Sequence, residues 1–309
     1  MRQDIVVLGV FVADTSYRAA RAPRMGETIM GNSFALGPGG KGSNQAVAAA
    51  RAGGTGSKVH FISRLGCDAF ADMALRIWAD AGVIPHVTQH ADSYTGAAYV
   101  FIEEASGDNA IIICPGVADT ISTDDLDAQA ALIKGAAVFM TQLEQPMAAA
   151  HHGLALARSG GAVTILNPAP AADLPTGMLE LCDYLTPNES EAEALTGISV
   201  GSVQEATKAA EALLAAGVGT ALITLGENGA LLHDGSTPVH VPVFNAGPVV
   251  ETTGAGDAFN GGFAAALAQG ATPQDAARFG AATAAISVTR KGTAPSMPEL
   301  HEVQALLGQ

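Results

Sequence analysis

The chain has 309 residues, 48% of them hydrophobic and only 5% aromatic, with 36 glycines. That length buries a full core, and the glycine-rich, apolar composition is that of an α/β enzyme with many tight strand–helix turns. The net charge of −15 argues against nucleic acid or an anionic membrane as partner, and no run reaches the ~18 apolar residues of a membrane span.

Met1-Arg2-Gln3-Asp4 leads directly into an apolar strand, Ile5 to Val10, so no secretory leader and a cytoplasmic protein are expected. A continuous apolar run of this kind suits a buried strand of a mainly parallel sheet. Ser43 to Arg51 reads as a helix of small residues and Val59 to Leu65 as the next strand. Asp68 to Ala81 has helical period, closed by Gly82. Strand and helix signals then alternate: Ala136–Met140, Pro146–Arg158, Val163–Leu166, Tyr184–Thr186, Glu189–Leu195, Gln204–Ala215 and Ala221–Leu225. The rhythm predicts βαβ units, helices on both faces of one sheet, and ligands at the carboxyl ends of its strands.

Two segments break the rhythm. Phe11 to Leu36 and Thr95 to Ile113 hold strand-like pieces with no helix. They are expected to form a small β-sheet lid over the site, the plain alternative being a pair of hairpins without function. The predicted organisation is an α/β body of residues 1–10, 39–92 and 114–309, with a lid of residues 11–38 and 93–113. Cys67, Cys114 and Cys182 lack metal-ligand or redox spacing and read as buried thiols of a reducing compartment. His151 and His152 are neighbours, which on a helix face different ways, so neither reads as chemical.

Gly37-Pro38-Gly39-Gly40-Lys41-Gly42 satisfies G-x-G-x-x-G but sits well past the first strand. No acidic residue stands about twenty positions further on, so a dinucleotide fold is not indicated. A Walker A loop fails as well, because Ala35 stands at its first Gly and Gly42 follows Lys41. What remains is a set of N–H donors, one of only five lysines, and the Asn44 amide at a helix start. Those donors suit a polyhydroxyl ligand, or else an ordinary helix start with an incidental lysine.

The most informative stretch is Thr252-Thr253-Gly254-Ala255-Gly256-Asp257-Ala258-Phe259, where a small-residue turn opens an apolar helix. Bare N–H groups and the positive end of a helix dipole make an anion site. A carboxylate beside a phosphate is repelled unless it has a task, and removing a proton from an attacking hydroxyl is such a task. The competing reading is an N-cap aspartate on an ordinary helix.

These two glycine motifs, in this order and together with Leu185-Thr186-Pro187-Asn188-Glu189-Ser190-Glu191, resemble the PfkB-type sugar kinases, and within them the ribokinases. Gly26-Glu27-Thr28, Gln142-Leu143-Glu144, Asn167-Pro168-Ala169-Pro170, Ile223-Thr224-Leu225-Gly226 and Val288-Thr289-Arg290-Lys291-Gly292 extend the likeness nearly end to end. The resemblance implies a catalytic base at Asp257 and an anion hole at the N–H groups of Gly254, Ala255 and Gly256. It implies sugar contacts at Asp14, Gly39, Gly40, Lys41, Asn44 and Glu144. It further implies ATP contacts at Asn188, at the loop of Thr224, Gly226, Glu227, Asn228 and Gly229, and at Gly256. Glu191 is implied to reach Mg²⁺ through water. Glu251, Thr253, Ser287, Arg290, Gly292 and Ser296 stand where the family holds a K⁺-type monovalent activator.

Two departures qualify the resemblance. Val12 replaces the usual asparagine two residues before Asp14, which removes a donor and an acceptor near the sugar. Glu251 replaces the usual aspartate at the cation site. The function expected is ATP-dependent phosphorylation of the primary hydroxyl (O5) of ribose. Alternatives are another furanose or a nucleoside as substrate, or a silent sugar-binding regulator on the same fold. The apolar lid strands and the resemblance together imply a homodimer through the lid.

Overall fold

Ile5, Val6, Val7 and Leu8 are all fully buried, which requires cover on both faces of the strand they form. The computed structural model describes residues 3–308; Met1, Arg2 and the outer bounds expected at residues 1 and 309 lie outside the described residues. In chain order the elements begin β1 (Ile5–Leu8), β2 (Val12–Ala19), β3 (Ser33–Gly39), α1 (Lys41–Gly53), β4 (Val59–Gly66), α2 (Ala69–Ala81), β5 (Val83–His90), β6 (Thr95–Glu103) and β7 (Asn109–Gly116). There follow α3 (Thr123–Ala128), α4 (Ala130–Gly135), β8 (Val138–Thr141), α5 (Met147–Gly160), β9 (Val163–Leu166), β10 (Tyr184–Leu185), α6 (Glu189–Thr196) and α7 (Val203–Ala215). The chain closes with β11 (Thr220–Thr224), β12 (Ala230–His233), β13 (Val239–Val241), α8 (Ala255–Ala268), α9 (Pro273–Ser287) and α10 (Leu300–Leu307).

The main sheet has nine strands in the order β13-β12-β11-β10-β9-β8-β1-β4-β5. All pairings are parallel except β11–β12 and β12–β13. Alternate residues of β1 enter two cores. Ile5 and Val7 pack with residues of α1, α2, α8 and α9, while Val6 and Leu8 pack with residues of α3 to α7. Strand order reverses at β1, whose neighbours are β4 on one side and β8 on the other. Crevices at such a switch point, outside the carboxyl ends of the strands, are where open α/β sheets bind ligands.

The segments that broke the βαβ rhythm form a separate four-stranded sheet, β3-β2-β6-β7, with β2 and β6 parallel and the other pairs antiparallel. Its register sorts the side chains. Asp14 pairs with Gly37 and Ala98, and Ala98 with Ile113, so these share one face with Val12. Phe34, Leu36, Tyr17, Tyr99 and Ile112 share the other and are exposed, Ile112 at 62%. Tyr17 bridges that face, with ring centroids 5.2 Å from Phe34 and 5.4 Å from Tyr99.

Some sequence expectations need correction. Cys67 and Cys114 are exposed, and only Cys182 is buried: Cys67 follows the end of β4 and Cys114 lies on the edge strand β7, where no second layer covers it. Strand β5 was not anticipated, because Val83-Ile84-Pro85-His86 carries no apolar run. As an edge strand it tolerates Pro85 and polar side chains.

Helix–helix distances near the site are set by glycine. A Cβ at Gly261 of α8 would stand 2.5 Å from Ala48 Cβ and 2.6 Å from the Gln45 carbonyl of α1. A Cβ at Gly262 would stand 2.4 Å from Thr283 Oγ1 of α9. Gly261→Ala is therefore expected to lower stability by ~1–3 kcal/mol in urea denaturation, since overpacking against backbone outweighs the gain in helix propensity. Gly135→Ala, whose Cβ meets nothing within 4 Å, should stay within ~0.5 kcal/mol of the parent. A neutral or stabilising Gly261→Ala would contradict the close-approach account.

Candidate active site

Asp257 is the third residue of α8, and its helix is capped not by a side chain but by Gly254 in the left-handed conformation. The N-cap reading of Asp257 is thus excluded. Its carboxylate instead turns inward, 7% exposed, and both oxygens are engaged by α1. Asn44 Nδ2 donates to Oδ2 at 3.0 Å and Gln45 Nε2 donates to Oδ1 at 3.0 Å. The close approach allowed by Gly261 makes these contacts between residues over two hundred positions apart.

The turn before Asp257 is tied down locally. The Ala255 N–H donates to the Thr252 carbonyl at 3.1 Å, and Asn260 Nδ2 donates to the Gly256 carbonyl at 2.9 Å. Thr186 Oγ1, just past β10, donates to Asn260 Oδ1 at 2.6 Å. Gly256 is exposed while Asp257 beside it is buried, so the first turn of α8 presents backbone outward and its carboxylate inward. N–H groups in such a turn lack intrahelical acceptors and suit an anion.

The other glycine loop folds against the end of β1. Gly40 has φ +87°, and a Cβ there would stand 2.4 Å from the Val10 carbonyl, so no other residue fits without moving the backbone. A Cβ at Gly39 would stand 2.2 Å from Asp14 Oδ2; its absence lets the Asp14 carboxylate lie over the loop. The Lys41 N–H donates to Glu144 Oε2 at 2.7 Å. The lid strand β2, the start of α1 and the segment after β8 thereby bring Asp14, Lys41 and Glu144 together with Asn44 and Asp257.

Three carboxylates around one ammonium raise each other's proton affinity. Burial, and then the nearby Asp257 charge, push Asp14 up to about 6. Burial pushes Glu144 up to about 7, against the pull of Lys41. Burial also raises Asp257, with Lys41, Asn44 and Gln45 opposing it. Clusters of perturbed carboxylates in a crevice mark functional sites more often than structural ones.

The expected nucleotide residues sit on the same sheet edge. Asn188 caps α6 in a reciprocal box: its Oδ1 accepts the Glu191 N–H at 2.8 Å, while Glu191 Oε2 accepts the Asn188 N–H at 2.9 Å. Glu191 is buried, which raises its carboxyl above the usual range. Thr224 ends β11, and its N–H donates to the Pro187 carbonyl at 2.9 Å. Gly226, Glu227 and Asn228 form an exposed turn, and a Cβ at Gly229 would stand 2.1 Å from the Val241 carbonyl.

The expected monovalent-cation residues also converge. The N–H groups of Val250 and Glu251 both donate to the Val288 carbonyl, at 2.8 and 3.1 Å. Glu251 Oε2 accepts the Gly292 N–H at 2.9 Å, a bond the longer side chain reaches across the loop to make. Ser287 Oγ and Ser296 Oγ donate to local carbonyls at 2.8 and 2.7 Å, and the Arg290 guanidinium pairs with Glu302. Thr253 is exposed on the turn before α8. The segment before α8 and the loop after α9 are thereby tied together. Among the described residues no cluster of three His, Cys, Asp or Glu side chains is arranged to hold a metal.

Sequence reasoning gave no role to Gln45, Gln142 or Asn167, although all three lie within stretches it singled out. Gln45 is the one long polar side chain inside the small-residue run of α1, and that isolation was the available signal.

A sequence profile described as pfkB family carbohydrate kinase matches residues 2–300. A ribokinase of Haemophilus influenzae is 37% identical over 308 residues, covering 99% of each chain. A deoxyribokinase of Salmonella typhi is 35% identical over 306 residues, covering 98% of each. The solved structure of Arabidopsis thaliana ribokinase complexed with ribose and ATP matches with a TM-score of 0.94 at 31% identity, over 100% of both chains. Helix order, crevice chemistry and these matches agree: the chain belongs to the pfkB family of carbohydrate kinases and is a ribokinase-like phosphotransferase.

Proposed function

We propose that the protein transfers the γ-phosphoryl group of ATP to the primary hydroxyl, O5, of ribose, as a cytoplasmic enzyme. The observation that carries this reading is the buried Asp257 carboxylate, held against the open first turn of α8 and facing the Asp14–Lys41–Glu144 cluster. Asp14, Glu144 and Asn44, with the Gly39–Lys41 loop, bind the sugar hydroxyls. Asp257 accepts the hydroxyl proton as the new O–P bond forms and the bond to the β–γ bridging oxygen breaks, releasing ADP. The N–H groups of Gly254 and Gly256 hold the charge developing on the phosphoryl oxygens, that of Ala255 being given to the Thr252 carbonyl. Asn188 and Glu191 lie where Mg²⁺ bound to the nucleotide, with water between, would be held; such an ion neutralises phosphate charge. The 224–229 turn takes the nucleotide base and ribose side of ATP. The lid closes over the sugar and excludes water.

A second substrate, deoxyribose, is favoured by one residue. Val12 is 3% exposed and shares the face of β2 with Asp14. Its isopropyl group offers a sugar hydroxyl neither donor nor acceptor, so a sugar lacking a hydroxyl there loses nothing. That one similar relative is a deoxyribokinase supports keeping this reading. A nucleoside substrate or a non-catalytic regulator has no observation of its own in its favour, and the intact Asp257 turn speaks against the regulator.

Asp257→Asn is expected to retain sugar and nucleotide binding by calorimetry while turnover falls ~10²–10⁴-fold; turnover within a few-fold of the parent would refute the base assignment. A coupled assay with ribose, deoxyribose and nucleosides, run in KCl and in NaCl at one ionic strength, tests substrate and cation together. Val12→Asn should raise the ribose-to-deoxyribose ratio of kcat/KM by roughly tenfold or more, and KCl should support the higher rate. An unchanged ratio would remove Val12 from the sugar wall, and equal rates in both salts would remove the K⁺ site. The exposed lid face of Tyr17, Phe34, Tyr99 and Ile112 is assigned to a second copy of the chain in a two-fold dimer. Ile112→Asp should shift light scattering toward monomer and raise the KM for sugar. A monomeric parent protein at micromolar concentration would sink the dimer.

A further inference from the structure

Behind Asp257 lies a chain of buried side-chain amides. Gln45, fully buried on α1, has every polar direction of its amide occupied. One N–H is given to Asp257 Oδ1 at 3.0 Å and another to Asn167 Oδ1 at 3.1 Å. Its own carbonyl accepts from Gln142 Nε2 at 2.6 Å. Asn167 is fixed in turn, its Nδ2 donating to the Thr186 carbonyl at 2.9 Å. Gln142 is held by that one bond, its Oε1 being buried between two glycines with no hydrogen-bond partner among the described residues. A Cβ at Gly9 would stand 2.6 Å from Gln142 Oε1, and a Cβ at Gly42 would stand 2.7 Å from it. Two glycines at the mouth of the switch point thus leave a slot one amide wide, and Gln142 lies in it.

The order of donors along this chain matters. An amide can present either N–H or C=O to a neighbour, and only the N–H end stabilises a carboxylate. Gln142 gives its N–H to Gln45 Oε1, which commits the other end of Gln45, its N–H pair, to Asp257 and Asn167. Were the Gln45 amide reversed, its oxygen would face the Asp257 oxygen across a dry contact, and two acceptors would meet.

We propose that Gln142 and Gln45 form an amide relay that positions the Asp257 carboxylate and keeps it ionised for proton abstraction, Gln45 and Gln142 being positioning residues rather than catalytic ones. The proposal rests on the assignment of Asp257 as base. It explains why a fully buried amide stands beside the base, and why Gly9 and Gly42 both lack side chains. Other charged groups face Asp257 from every side: Lys41 at the start of α1, Asp14 from β2, Glu144 after β8 and Glu191 from α6. Lys41 favours the ionised base and the three carboxylates oppose it. Without the amides the opposing set gains, so the acid limb of the pH–rate profile must move toward higher pH.

The test compares pH profiles of kcat/KM for sugar in Gln45→Met and Gln142→Leu, each checked for folding by circular dichroism and ATP binding. Gln45→Met removes the donors at near-constant shape, and its acid limb should rise by about one pH unit. Its kcat at neutral pH should fall by roughly tenfold, with the KM for ATP unchanged. Gln142→Leu makes no contact with Asp257 to lose, yet its limb should move in the same direction, and the double variant should add little to Gln45→Met. Should Gln45→Met fail to fold, Gln142→Leu decides alone. Acid limbs that stay at the parent position in folded variants, with only the melting temperature lowered, would overturn the relay. Asp257→Asn separates the two readings. If it loses turnover while the amide variants keep the parent limb, the relay alone falls; if it stays active, the base assignment falls and the relay with it.

Discussion

Everything in this site depends on how closely α8 approaches α1. The two helices carry the two glycine turns at their N-termini, in segments separated by most of the chain. Gly261 lets α8 lie against the Gln45 carbonyl and Ala48, and that contact sets the reach at which Asn44 and Gln45 bond Asp257. Side-chain volume at the crossing would push the base away from its partners before it touched any ligand. The dense alanine and glycine content of these helices is therefore a positional requirement, with burial energy supplied by neighbours such as Phe263 and Trp78. Trp78 also donates its indole N–H to Ser43 Oγ at 2.9 Å, which anchors α1 in its first turn.

The second constraint is electrostatic. An acidic chain gathers Asp14, Glu144, Glu191 and Asp257 in one crevice, with Lys41 as the cation acting on most of them. Burial raises the proton affinity of each of these carboxyls. The structure counters with directed hydrogen bonds instead of added positive charge: N–H of Lys41 to Glu144, N–H of Asn188 to Glu191, and amide N–H groups of Asn44 and Gln45 to Asp257. Donors of this kind lower a carboxyl pKa without closing the site to an incoming phosphate as an ion pair would.

Much of this was legible in the residues. The apolar run of β1 and the two glycine turns are local signals, each encoded within a few positions. The separate sheet was visible as strand patterns without helices. What the sequence hid was pairing across distance. Nothing local says that Asp257 bonds α1 instead of capping its own helix, because that bond depends on an interhelical distance. The exposure of Cys114 depends on which strand ends up at the lid edge, and β5 needs a neighbour before its polar residues make a strand. Glu251 was read as a departure from the usual aspartate, and in the fold its carboxylate accepts the Gly292 N–H, a partner the sequence did not reveal.

The proposed mechanism needs α1 and α8 to converge so that one ionised carboxylate lies between a sugar hydroxyl and a phosphate held by the α8 turn. A crystal structure of the protein with ribose and a non-hydrolysable ATP analogue tests it most directly. The account predicts the O5 hydroxyl within about 2.6–3.2 Å of an Asp257 oxygen, the Gln45 bond retained, and the terminal phosphate against the N–H groups of Gly254 and Gly256. A sugar whose primary hydroxyl points away from Asp257, or a terminal phosphate bound off that turn, would contradict it.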